Sequence, residues 1–202
     1  MRALSRCWRG SLVRKRRIPI KGFHLRDGPI NIRPIAPDDA PHLMRWLNDP
    51  NVLQYYEGRD QPQDEHAIRK RFLTKQGSSV QGCAICYHDR PIGYIQVYPA
   101  EPENLCAWGF PRDARVAEFD LFIGEPDLWG QVIGSRVVQA VARSLTTTYG
   151  ADQVVVDPRV HNHRAVHVYE KCGFKKVRLL PAAEWHEGQL HDCWLMQFSP
   201  HN

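Results

Sequence analysis

The segment EFDLFIGEPDLWGQVIGSRVVQAV, from Glu118 to Val141, changes its hydrophobic period midway, and this change constrains the fold more than any other feature of the chain. Its start is an apolar run of strand type. Its end and the residues just beyond place Val137, Val138, Val141 and Ala142 on one helical face. Gly124, Pro126, Gly130 and Gly134 break the chain between the two. A strand that passes through such a turn into a helix is a unit of α/β architecture. The turn also has chemical meaning, because glycines let backbone approach a ligand and the first N–H groups of a helix can hold a pyrophosphate. It carries neither the Lys-Ser/Thr of a P-loop nor a full G-x-G-x-x-G, so taken alone it is equally compatible with an ordinary turn.

One residue is out of keeping with the apolar start. Asp120 lies between Phe119 and Leu121, and strand alternation puts its side chain on the face of Glu118 and Phe122. A carboxylate on a central strand is costly unless it has a partner or a function. An ion pair with an arginine and a functional acid are the two readings open to it.

The flanking sequence extends the α/β pattern. Ile30, Ile32 and Ile35 begin a strand, Asp38 is placed to cap a helix bearing Leu43, Trp46 and Leu47, and Asn48-Asp49-Pro50 ends that helix. A polar helix is expected across DEHAIRKRFLTKQG, and two strands meet at His88-Asp89-Arg90-Pro91. AEPENLCAWGFPRDARV reads as loop, QVVVDP as a buried strand, HNHRAVHVYEKCGF as a helix closed by Gly173, and KKVRLLP and HDCWLMQFS as final strands around an acidic loop. The order β-α-α-β-β-β-α-β-α-β-β describes one α/β domain with a mixed sheet.

Charge divides the chain. Residues 1–26 hold nine Lys/Arg and no acid, whereas the remainder holds 18 Lys/Arg against 22 Asp/Glu, so the overall +5 conceals a mildly acidic body. A fold that binds nucleic acid would show the reverse distribution, and an acidic cleft attracts cations. Residues 1–27 are therefore read as a basic, poorly ordered extension, with a targeting segment as the alternative, and 28–202 as a single domain. No run approaches the roughly 18 apolar residues of a membrane span. The six cysteines lack a disulfide-framework spacing, Cys83-Ala-Ile-Cys86 has no second ligand pair, and the expectation is packing thiols in a reducing cytoplasm with no metal site.

Four stretches together resemble a known family: WLNDPNVLQYY, RPIGYIQVY, EFDLFIGEPDLWGQVIGSRVV and DPRVHNHRAVHVYEKCGF. The chain is similar over about residues 30–198 to the GNAT superfamily of acetyl-coenzyme A-dependent N-acyltransferases, and most similar to its aminoglycoside 6'-N-acetyltransferase branch. The superfamily's loop usually begins with Gln or Arg, where this chain has Trp129 as that branch often does, and its middle Gly is replaced here by Val132.

The resemblance implies a mixed, mostly antiparallel central sheet flanked by helices on both faces, and direct acetyl transfer from acetyl-CoA to the 6'-amine of an aminoglycoside. By this likeness backbone groups of Phe122 and Ile123 pair with the pantetheine arm. Trp129, Gly130, Gln131, Val132, Ile133, Gly134 and Ser135 receive the pyrophosphate, and Asn162 contacts the cofactor, doubling as a helix cap. Tyr169 matches the tyrosine near the departing thiolate, where a phenol can donate a proton. Cys172 is read as core. Asp120 acquires a role in holding the acceptor ammonium and taking its proton. Asp113 and Asp157 match acidic pocket positions, Tyr55, Tyr56 and Trp108 are candidates to stack on sugar faces, and Glu184 and Glu187 are further acidic candidates. Alternative acceptors are a siderophore hydroxylamine or another small polyamine, and then a protein amino group. A non-catalytic binding module with an RNA-contacting arm is the reading outside enzymes. A cytoplasmic monomer or homodimer is expected.

Overall fold

Alternating apolar residues build eight strands into one sheet of order β1-β2-β3-β4-β5-β6-β8-β7 in the computed structural model, which describes residues 18–60, 63–73 and 79–199. The strands are β1 Leu25–Asp27, β2 Ile30–Pro34, β3 Gln81–Tyr87, β4 Arg90–Pro99, β5 Val116–Ile123, β6 Gln153–Val156, β7 Lys175–His186 and β8 Gln189–Phe198. Every neighbouring pair is antiparallel except β5 and β6. The β3–β4 hairpin turns at His88 and Asp89, both at positive φ, as a two-residue connection requires.

Helices cover both faces. On one side, α5 Ile133–Thr147 and α6 His163–Lys171 pack Val137, Val141, Leu145 and Val166 on Ile85, Ile95, Phe119 and Val154. On the other, α1 Ala40–Trp46, α2 Pro50–Leu53 and α3 Glu65–Ile68 set Leu43, Trp46, Val52 and Ile68 against Tyr94 and Phe122. The α3 segment continues as a π-helical turn over Arg69–Leu73, bringing Phe72 into the same cluster. A short helix, α4 Pro102–Trp108, lies where the sequence suggested loop; its Leu105 joins Val116, Val155 and Leu195, and Gly109 ends it at φ 87°.

Two expectations change. The domain does not begin at residue 28: Ile18, Ile20 and Phe23 are buried in the main core, and β1 pairs Leu25 with Ile32 and Asp27 with Ile30. The surrounding positive charge obscured a short apolar pattern that supplies the outermost strand and a plug beneath it. Residues 1–17 of the basic arm lie outside the described residues. Asp39, not Asp38, organises the start of the first helix: its buried carboxylate accepts the Ala36 N–H and both terminal nitrogens of Arg33, each at 2.8 Å.

The feature that positions the site is the β5–β6 seam. Their parallel pairing covers only Val116↔Gln153, Ala117↔Val154 and Glu118↔Val155. On its other side β5 stays paired with β4 from Ala117↔Pro99 to Ile123↔Gly93. The strands therefore part after Glu118, and the sheet opens beside Asp120.

Candidate active site

Two cavities meet at this opening and share Tyr55, Tyr56, Leu121, Asn162, Ala165 and Tyr169. Their union connects the helical layers on opposite sides of the sheet through the gap between β5 and β6.

The first cavity is a groove bounded by Phe122, Ile123, Leu128, Trp129, Gly130, Gln131, Val132, Gly134, Ser135, Asn162 and Tyr169. Its floor is the unpaired edge of β5 and one end is the start of α5. Gly130 sits at φ 76°, which favours glycine, and there is open space around both Gly130 and Gly134. The first-turn N–H groups of α5 have no intrahelical acceptor, so the turn is an anion cradle at the positive end of a 15-residue helix. Val132 does not crowd it, being right-handed in backbone with a side chain 62% exposed. Trp129 locks the turn to the strand, its indole N–H donating to Ile123 O at 2.8 Å. The Arg164 guanidinium lies 4.0 Å from the Trp129 ring and 4.4 Å from that of Tyr55, joining α6 to both. The Ile133 side chain is buried in the main core and anchors the helix, so it can contribute to the cradle only through its backbone N–H.

The second cavity, of about 400 Å³, is polar and contains Asp120. β4 presents Gln96 and Tyr98 on the same face, and both donate to Asp120 Oδ2, at 2.8 and 2.7 Å. Among the described residues Asp120 has no cationic partner. No described residue supports the ion-pair reading, and Oδ1 is left to the cavity. Asp157 follows β6 on the opposite wall. Protein surrounds it although its surface opens on the cavity, and burial, then Asp120 and Glu184, push its carboxyl up to about 7. Glu118 lies behind both, 6% exposed, and burial followed by Asp157 and Asp120 raises it to about 8. Arg71 pairs with Glu57 at 2.5 Å on one rim, and Arg159 stands 3.5 Å from Glu184 on another.

Tyr169 reaches both cavities from α6. Its ring packs on Phe119 and Phe174, and burial, then the nearby Asp120 and Asp157, raises its hydroxyl pKa, keeping a neutral phenol that can donate. Asn162 caps α6, accepting the Ala165 N–H at 3.1 Å, while also lining both cavities. Cys172 is buried, and its Sγ donates to Ser135 O at 3.3 Å.

Two expected residues stand apart. Trp108 belongs to α4 and packs against the Leu105–Val155–Leu195 cluster. Asp113 is exposed on the lead-in to β5 and lines a separate small cavity with Ile18 and Glu101, beyond the end of the strand that carries Asp120. Glu184 lines the polar cavity, whereas Glu187 is at the β7–β8 turn and grips Arg59 through both oxygens, at 2.6 and 2.7 Å. Gln96, Tyr98, Glu118, Arg159 and Arg164 were missed. The period-two spacing of Gln96 and Tyr98 could have signalled the first two; the arginines depend on tertiary placement.

A family comparison agrees with this geometry. The acetyltransferase (GNAT) domain family matches residues 36–181. The chain belongs to the GNAT acetyltransferase family. It is an acetyl-CoA-dependent acyltransferase, and the groove along β5 with its glycine cradle suits that co-substrate. Among GNAT relatives it is 24% identical over 149 residues to the aminoglycoside N(6')-acetyltransferase type 1 of Klebsiella pneumoniae, covering 73% of this chain and 74% of that one. It is 27% identical over 150 residues to the N(6)-hydroxylysine O-acetyltransferase of Escherichia coli, covering 69% of this chain but 44% of the other. The fold is shared with AAC(6')-Ib in complex with ribostamycin and coenzyme A (TM-score 0.67, 20% identity, 85% and 93% of the two chains). It is shared too with the Vibrio cholerae spermidine N-acetyltransferase in complex with CoA and spermine (TM-score 0.69, 17% identity, 86% and 96%). Among the described residues no His/Cys/Asp/Glu group could hold a metal ion, and no helix is long and apolar enough to cross a membrane.

Proposed function

We propose that this GNAT enzyme acetylates the 6'-amine of an aminoglycoside. The observation that carries the reading is the juxtaposition of Asp120 and Asp157, neither with an ion-pair partner among the described residues, with Tyr169 where the two cavities join. A multiply charged amino sugar needs dispersed carboxylates for affinity and orientation together. The similarity to the Klebsiella pneumoniae aminoglycoside enzyme, over about three quarters of both chains, supports the same acceptor class.

In this reading acetyl-CoA lies along Phe122 and Ile123 with its pyrophosphate over Trp129–Ser135, and supplies the acyl group as a thioester. Asp120 takes a proton from the bound ammonium, directly or through water, leaving a lone pair to attack the acyl carbon. The Tyr169 hydroxyl supplies a proton to the leaving sulfur as the C–S bond breaks, and the second proton that the nitrogen loses on forming the amide restores the phenol. Gln96 and Tyr98 keep Asp120 in place, so the base is held ready before the acceptor arrives. Amide formation removes one of the charges that drive phosphate binding on RNA, which is the physical basis of resistance to such a drug. A cytoplasmic location belongs to the same proposal, as a compartment that supplies acetyl-CoA.

Thiol release from acetyl-CoA, measured across aminoglycosides, spermine and N-hydroxylysine, tests this function. Activity on a 6'-amino drug and none on its 6'-hydroxyl counterpart is the expected result. Turnover of spermine or the hydroxylamine with no aminoglycoside activity would overturn it.

A further inference from the structure

The polar cavity contains a buried cation that the transfer chemistry leaves unused. Arg159 lies in the link between β6 and α6, lines the cavity beside Asp157, and is 7% exposed. Backbone contacts fix its position. Arg159 bridges Cys193 of β8, the Trp194 N–H donates to Pro158 O and the Val160 N–H donates to Asp192 O, both at 2.9 Å. Of its terminal nitrogens, Nη2 donates to Gln54 O at 3.1 Å. Nη1 stands 3.5 Å from Glu184 Oε1 and, although buried, has no hydrogen-bond partner among the described residues. A buried donor of this kind is uncommon and calls for an acceptor.

We infer that Arg159 Nη1 donates to a neutral oxygen of the acceptor substrate, selecting an amino sugar over a linear polyamine. The inference rests on the amino-sugar reading of this cavity and adds a specificity residue to it. A protonated polyamine presents only N–H donors; beside Arg159 it adds like charge and leaves Nη1 unpaired. An amino sugar carries hydroxyl and ring oxygens next to its amines, so it can offer ammonium to Asp120 and Asp157 and oxygen to Arg159 at once. A carboxylate-bearing amine would attract the guanidinium more strongly. It would, however, enter a cavity already lined by Glu57, Asp120, Asp157 and Glu184, with Glu184 itself beside Nη1. A neutral oxygen avoids that repulsion. Discrimination by an unpaired buried group is steep, because the wrong substrate leaves the site's own donor unsatisfied.

The experiment compares kcat/KM for ribostamycin, spermine and lysine with acetyl-CoA, in wild-type enzyme and Arg159→Met. The expected result is a preference for ribostamycin that falls at least about tenfold relative to spermine in the variant. A merely structural role would depress all acceptors alike, and an unchanged ratio on an enzyme active toward ribostamycin overturns the inference alone. Wild-type turnover of spermine with none of ribostamycin overturns the amino-sugar reading and this inference with it. If lysine is preferred and its preference is lost in Arg159→Met, the group bound is a carboxylate and the neutral oxygen is excluded. Should Arg159→Met fail to fold, wild-type enzyme is given 2-(aminomethyl)tetrahydropyran and its oxygen-free analogue (aminomethyl)cyclohexane. Faster transfer to the ether is expected, and equal rates overturn the assignment.

Discussion

Gln96 and Asp120 face each other in register across β4 and β5, and the Gln96 amide donates to Asp120 Oδ2 at 2.8 Å. The Tyr98 hydroxyl donates to the same oxygen at 2.7 Å. Neutral donors thus do what an arginine would otherwise do for a carboxylate on a central strand. They satisfy one oxygen without neutralising the charge, and the other can meet a cation.

Asp120→Asn tests that division. The amide oxygen can still accept from Gln96 and Tyr98, so the melting temperature should stay near wild type. Turnover should fall roughly 10²-fold or more, the range of a lost general base. A raised KM with intact kcat would reduce Asp120 to an anchor.

Tyr169→Phe retains the ring contacts with Phe119 and Phe174 and removes only the hydroxyl. In steady-state assays kcat should drop about 10²-fold, while coenzyme A affinity, measured by calorimetry, holds. An unchanged chemical step would return Tyr169 to the core.

Protonation of the acid cluster sets a pH dependence of stability. Glu118 and Asp157 hold their protons up to about 8 and about 7 in the folded protein but ionise near the ordinary carboxyl range when unfolded. Between those limits the native state binds more protons, so stability falls as pH rises, by up to about 1.4 kcal/mol per pH unit for each group. Buried His186, with its pKa lowered by burial and Arg159, works in the opposite sense below its ordinary value. Comparison with Glu118→Gln removes that complication. Thermal melts should show a decline from pH 6.5 to 8.5 that is smaller in the variant; parallel curves would refute the assignment.

Gly93 pairs with Ile123, and a Cβ there would collide with the Phe122 carbonyl oxygen. Gly93→Ala should displace the strand that borders the cofactor groove, costing about 1–3 kcal/mol of stability. Coenzyme A affinity should weaken at a temperature where the variant remains folded. Unaltered affinity would separate the groove from this stretch of β5.

Phe23 is fully buried although it lies in the sequence taken for an extension. Phe23→Ala should cost about 3–5 kcal/mol in denaturant unfolding, as for a core phenylalanine. A change of a few tenths would restore the boundary at residue 28.

The sequence made some of this architecture legible because certain signals are local. The switch from strand to helix between Phe119 and Val137 is written in the hydrophobic period, and Asp120 stands out because its neighbours are apolar. Asn162 and Gly173 bracket α6 as its cap and stop. Other features depend on distant partners. Ile18 and Phe23 are isolated among charges until the sheet gives them a core. Asp113 and Trp108 have pocket-like chemistry, yet the length of β5 carries one past the cavity and α4 turns the other onto its own cluster. Arg159 becomes notable only when β8 and Gln54 enclose it.

The early parting of β5 and β6 has a mechanical consequence. Among the described residues, strand pairing between the β1–β5 part of the sheet and the part formed by β6, β7 and β8 is limited to three positions, and side-chain packing does the rest. A ligand laid along the free edge of β5 would act as a brace between the two parts, and occupancy would be felt as stiffness far from the reacting atoms. Ligand at a hundred times its Kd contributes about 2.7 kcal/mol to the folded state. Occupancy of the groove would then set the free energy of unfolding as well as the rate of transfer.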